Sequence, residues 1–210
     1  MSQLDCPAVT LSQTDTMADL GPHVDALYRI ATAPWDEYHT LVPSDLLVAF
    51  CRRTRASAIH NLMVRAATQY AATTENVRPF DRQLMKGMVI DGRIAIRFKK
   101  LDEDSYSRGH YTKQVEEFRN QQTLDGIDAT HHLELGYVLN RDETEISEVR
   151  VVYPSGRNNA WWSRIDASGI QPVVVDLLPP LRPADGDGGA IIKPKDKGVV
   201  IPIRRKTDES

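Results

Sequence analysis

Hydrophobic positions change their period along this chain. Between residues 23 and 73 they recur every three or four residues, the spacing of one helix face. Between 84 and 166 they alternate, the spacing of strands. Beyond 179 they follow no period.

In the first region, Val24, Leu27, Tyr28 and Ile30 predict a short helix over 23–33, closed by Pro34, because proline disfavours helical geometry at the residue before it. Trp35, Tyr38 and Leu41 then read as a hydrophobic connection. Pro43-Ser44-Asp45 is a start signal, a hydroxyl followed by an acid beside the positive helix end. Leu47, Phe50, Cys51, Ala58, Leu62, Ala66 and Tyr70 follow at helical steps and predict one long helix fraying by Thr73–Asn76. Arg52, Arg53, Arg55 and Arg65 stand largely off that stripe, as on a solvated face.

The alternating region begins with a hairpin, Leu84–Ile90 and Arg93–Lys100, joined by Asp91-Gly92, a pair suited to the positive φ values of a two-residue turn. In its second strand Ile94, Ile96 and Phe98 point one way, while Arg93, Arg97 and Lys99 point the other; Lys86 is a candidate neighbour. Residues 101–111 are too polar for a core element. Thr112 can cap a helix running to about Leu124, with Val115 and Phe118 inward. Three more strands follow, His132–Leu139, Glu145–Tyr153 and Ala160–Asp166, with Pro172–Leu178 as a candidate edge strand. Trp161 and Trp162 are neighbours, so they face opposite sides of one layer.

These patterns predict an α+β fold: a mainly antiparallel sheet of about five strands, wet on one face, with two to three helices packed on it. The predicted organisation is a flexible arm over 1–22, a single domain over 23–178 and a disordered tail over 179–210. The tail is rich in proline, glycine and aspartate, then carries a short apolar strip ending in Arg204-Arg205-Lys206. Residues 190–206 are therefore a candidate strand for a protein partner's sheet edge.

Charge sharpens the picture. The net charge of −3 excludes a globally basic nucleic-acid coat, but residues 52–122 hold 14 basic against eight acidic residues, between acidic flanks. A localised anion site fits that distribution. So does a fold in which the segments interleave and neutralise one another, with Glu134 and Glu148 as available acids. No apolar run approaches the ~18 residues a membrane span needs. Cys6 and Cys51 have neither zinc spacing nor a disulfide framework around them, and a cytoplasmic protein without cofactor is expected.

The candidate site is the cationic strand face with the helix start beside it: Arg93, Arg97, Lys99, Lys100, Thr112 and Lys113 as ligand-binding residues for nucleic acid or another phosphate-bearing ligand. His110, Tyr111 and Arg108 add one group that titrates near neutrality and further polar groups. A metal-independent ribonuclease needs those types to deprotonate a 2′-hydroxyl and stabilise the phosphorane. Small bacterial toxins that cut messenger RNA use a surface of this kind, and the similarity is one of residue type. The restriction-like nuclease pattern requires an acid two residues before the strand lysine; Arg97 stands there before Lys99, so no metal-dependent cleavage follows. His131-His132-x-Glu134 lacks a second ligand pair, and no metal site is expected. The alternative to a ligand-binding protein is a non-catalytic regulatory or assembly protein acting through protein contacts, its tail included.

Overall fold

The structure, a computed structural model, describes residues 11–82, 85–109 and 112–167. His110, Tyr111, the candidate edge strand and the tail lie outside the described residues.

The fold is α+β. Among the described residues its sheet has six strands in sequential order: β1 (Val77–Arg82), β2 (Met85–Ile90), β3 (Ile94–Leu101), β4 (His131–Leu139), β5 (Ile146–Ser155) and β6 (Asn158–Ile165). All neighbours pair antiparallel except β3 and β4, which are parallel. A parallel pair requires the chain to cross over and return to the same end, and the crossover contains the short helix Lys113–Arg119. The helices are α1 (Gln13–Leu20), α2 (Val24–Leu41), α3 (Ser44–Ala49), α4 (Arg52–Thr73) and α5 (Lys113–Arg119). No helix among the described residues is long and apolar enough to cross a membrane.

The main core lies between the sheet and α2 with α4. Met88, Ile96, Phe98, Leu133, Leu135, Tyr137, Val151 and Tyr153 project from the strands onto Leu27, Ile30, Tyr38, Ile59 and Met63. Several helix boundaries differ from the sequence pattern for physical reasons. Pro34 sits inside α2 rather than ending it. The missing N–H costs about 3 kcal/mol, but Ala31, Pro34, Trp35 and Tyr38 extend the same buried stripe as Leu27 and Ile30. Residues 13–20 are helical where a loose arm is expected. Ser12 caps the helix by accepting from the Asp15 amide, Met17 and Leu20 are buried, and Gln13 donates to the Trp162 carbonyl (2.9 Å) and Ser163 Oγ (2.7 Å).

The long helix expected from Ser44 is broken at Phe50 and Cys51, both in extended geometry. The piece before the break, α3, buries none of its residues. On α4 the fully buried row is Ile59, Met63 and Ala67, one position on from the stripe read from sequence; Ala58, Leu62, Ala66 and Tyr70 flank it, partly buried.

Asp91 and Gly92 both take positive φ (51° and 64°), as the two-residue turn demands. The strand β1 is unforeseen in the sequence pattern. Its Pro79 is tolerated because, among the described residues, β1 pairs only with β2. Phe80 of β1 lies across Gly87 of β2: a Cβ at Gly87 would fall 2.1 Å from the Ile96 carbonyl oxygen and 2.6 Å from the Phe80 ring. Gly87→Ala is therefore expected to destabilise the protein by at least about 1–3 kcal/mol through overpacking, read as a lower urea midpoint at unchanged m-value.

Neither sheet face is wholly wet. The face away from α2 and α4 is covered over β1–β4 by α5 and its flanks, where Phe80, Met85, Val89, Phe118, Leu124 and Ile127 form a second core. Nearer β5 and β6, residues 102–107 fold back over the sheet. Arg150 holds them by donating to the Glu103 carbonyl and to Ser105 Oγ, each at 2.7 Å. Trp161 lies on the α-helical side and Trp162 on this one, with the Arg150 guanidinium 4.2 Å from the Trp162 ring centroid.

Candidate anion-binding site

One carboxylate organises the face under α5. Side-chain alternation puts Ala95, Arg97, Lys99 and Leu101 of β3 on this side, and the parallel register sets Glu134 of β4 opposite Arg97. Glu134 Oε1 accepts from Arg97 through both Nε (3.1 Å) and Nη2, and from Arg119 Nη1 of α5 (3.0 Å). Glu134 is 0% exposed, Arg97 3% and Arg119 5%, so this is a buried ion triad rather than a surface bridge. Burial alone would push the Glu134 carboxyl up, but the Arg97 and Arg119 guanidiniums outweigh it and hold the group below the ordinary carboxylate range.

Arg119 also fixes the site's outer edge. Its Nε donates to the Gly156 carbonyl (2.7 Å), and its Nη2 to the Asn158 carbonyl (2.9 Å) and Asn159 Oδ1 (3.0 Å). These bonds tie the end of α5 to the β5–β6 turn. Phe118 beside it stacks on His132 with ring centroids 4.6 Å apart, and the Arg97 guanidinium carbon lies 4.6 Å from the same ring centroid. His132 Nδ1 donates to the Phe118 carbonyl at 3.1 Å, which leaves Nε2 as a buried acceptor without a partner among the described residues. Burial holds His132 neutral, its pKa lowered to about 4.

Beside the triad an open pocket of about 370 Å³ is walled by Arg97 and Lys99 of β3, Tyr106 and Ser107 of the folded-back loop, Val115 and Arg119 of α5, and Arg157 of the β5–β6 turn. Four cations line it, and Glu134 behind them accepts from two, Arg97 and Arg119. Lys99 forms no salt bridge among the described residues; burial first, then the neighbouring Arg97, lower its amine to about 8. An excess of cations over acids around a cavity is what an anion would neutralise.

Arg97 and Lys99 thus share one site, as alternation predicts, but not on an open cationic face: Arg97 is buried and already bonded to a carboxylate. The other expected ligand residues are elsewhere. Lys100 points to the opposite face, where it meets Glu143 (2.8 Å) together with Arg52 and Arg55. Lys86 pairs with Asp81 (3.0 Å). Arg93 is exposed at the strand's start, 3.4 Å from Asp19, and Arg108 is exposed outside the pocket wall. Thr112 Oγ1 accepts from the Val115 amide at 3.3 Å, so the cap predicted there forms. The helix it caps has seven residues, ending at Arg119 rather than near Leu124, and Lys113 is exposed, 3.7 Å from Glu117. Sequence reasoning missed Arg119 and Arg157, for no periodicity singles out a cation next to a core phenylalanine or in a turn. Glu134 was legible as a neutralising acid. No protein-family model, curated protein or solved structure matches the chain.

Proposed function

We propose that this protein binds a small or terminal anionic group, phosphate or carboxylate, in the pocket between β3, α5 and the β5–β6 turn. The observation that carries this reading is the cation excess: Arg97, Lys99, Arg119 and Arg157 surround one cavity with Glu134 as the acid bonded among them. The buried triad supports it by presetting two guanidiniums, so that little side-chain ordering is left to binding. Burial of Arg97 and Arg119 argues against a polymer backbone laid flat across the sheet. A nucleotide or nucleic-acid end fits the pocket better than an extended strand. The ribonuclease reading rests on His110 and Tyr111, and no described contact favours it.

Binding of inorganic phosphate, pyrophosphate and an RNA oligonucleotide, measured by calorimetry at two salt concentrations, tests the proposal. Charge-assisted hydrogen bonds contribute about 1.5–3 kcal/mol, so Lys99→Ala and Arg157→Ala should each weaken the small anions roughly tenfold or more without lowering thermal stability. Equal binding by all three proteins, or none by the parent chain, would remove the reading. RNA binding that falls steeply with salt yet ignores both substitutions would place the contact elsewhere.

A further inference from the structure

We infer that the Lys99 amine is a nucleophile that captures the carbonyl carbon of a small 2-oxo acid as an imine. The inference rests on the anion-binding reading and names the substrate class for the same pocket.

The placement of Lys99 is the first argument. It stands on β3 between the folded-back loop and α5, in the wall of the cavity, with no salt bridge among the described residues. The acid nearest in the fold, Glu134, gives its Oε1 to Arg97 and Arg119. Glu134, its Oε2 without a partner among the described residues, pulls the amine up, but burial and the Arg97 charge outweigh it; a lysine desolvated beside other cations is the arrangement that frees an amine for attack near neutral pH. With the amine lowered to about 8, about one molecule in ten carries it unprotonated at pH 7, against fewer than one in a thousand for an ordinary lysine.

Charge then selects the ligand. Without Lys99, the wall holds Arg97, Arg119 and Arg157 against Glu134. A monoanionic carboxylate leaves positive charge beside the amine and keeps it low. A phosphate dianion cancels that charge and returns the amine toward its ammonium form. Arg157 makes no described ion pair, and the Arg97 bonds to Glu134 use Nε and Nη2, so Arg157 and Arg97 Nη1 are donors with no described partner to give up before meeting the carboxylate. A carbonyl next to that carboxylate would then be offered to Nζ.

The step balances without a co-reactant. The nitrogen lone pair forms the C–N bond, and the carbonyl π pair moves to oxygen, which takes a proton. The nitrogen loses its proton to solvent in the open mouth. The hydroxyl then takes a proton from solvent and leaves as water while the nitrogen lone pair closes the C=N bond, and the nitrogen gives up its remaining proton to solvent. Amine and oxo acid become imine and water, with no change of oxidation state.

Reductive trapping tests this on the full chain. Glyoxylate or pyruvate is added at pH 7 with cyanoborohydride, labelled lysines are mapped by mass spectrometry, and propanal serves as an uncharged carbonyl. Lys99 should be labelled by the oxo acids on the order of a hundredfold faster than other lysines, in proportion to its larger unprotonated fraction. Lys99→Arg should abolish that label, and Arg157→Ala should slow it for the oxo acids but not for propanal. Labelling spread evenly over lysines, or sparing Lys99, overturns the inference. If phosphate still binds in that case, the anion reading stands alone. Equal trapping of propanal and oxo acids at Lys99 overturns the oxo-acid assignment, and absence of phosphate binding in the same protein would take the anion reading with it.

Discussion

Glu134→Ala is expected to lower the unfolding free energy by about 3–5 kcal/mol, because it strands two buried guanidiniums. At this chain length that corresponds to a fall in Tm on the order of 10 °C. The size follows from burial: Arg97 and Arg119 are 3% and 5% exposed, and neither can turn to water without opening the face under α5. Arg97→Ala should cost less, about 1–3 kcal/mol, since Arg119 still holds Glu134 Oε1 at 3.0 Å. The double variant should then lose clearly less than the two single losses added together.

The acid dependence of this pair has a definite sign. The Glu134 carboxyl is depressed in the folded protein, so its contribution is complete above the ordinary glutamate pKa of about 4.3 and disappears as pH falls through the lower folded value. Urea melts of the four proteins at pH 7 measure the coupling. A Glu134→Ala variant within about 1 kcal/mol of the parent would mean the triad does not hold α5 in place.

The parts of the fold that were legible are those written in short stretches of chain. Asp91-Gly92 marks its turn because both residues tolerate positive φ, and Thr112 marks the start of α5 because its hydroxyl meets an amide three residues on. Leu133, Leu135, Tyr137 and Leu139 alternate because one side of β4 meets the main core. What escaped depends on partners distant in sequence. Pro34 looks like a stop unless the stripe continuing through Trp35 and Tyr38 is weighed against it. β1 has no alternation because Val77 and Phe80 go to different cores, one on each sheet face. The cationic side of β3 reads as wet because nothing near Arg97 announces that α5 will cover it. Arg119 is 22 residues away, and its bonds to Glu134, Gly156 and Asn158 arise only when the parallel crossover closes. A charged residue on an alternating strand thus has two physical outcomes, solvent or a buried partner, and local pattern does not separate them.

The same crossover makes stability depend on pH through His132, the second large expected effect. Its ring is 1% exposed, stacked on Phe118, and bonded through Nδ1 to the Phe118 carbonyl. Burial chiefly, with the neighbouring cationic groups, lowers its pKa to about 4, while the Phe118 carbonyl opposes the shift. In the unfolded chain the ring titrates near 6.5. Between those values the unfolded state binds the extra proton, so stability falls as pH drops from about 6.5 to 4, and His132 accounts for roughly 3 kcal/mol of the loss. His60 and His131, both also lowered chiefly by burial, slope the same way. His132→Asn isolates the one contribution, because its amide can still donate to the Phe118 carbonyl but takes up no proton in this range. Urea midpoints at pH 7, 6 and 5 should fall steeply for the parent and less for the variant, which starts lower at pH 7 for want of the ring stack. Parallel lines for the two proteins would show that His132 is protonated as readily in the folded protein as in the unfolded one, and that α5 does not seal the ring from water.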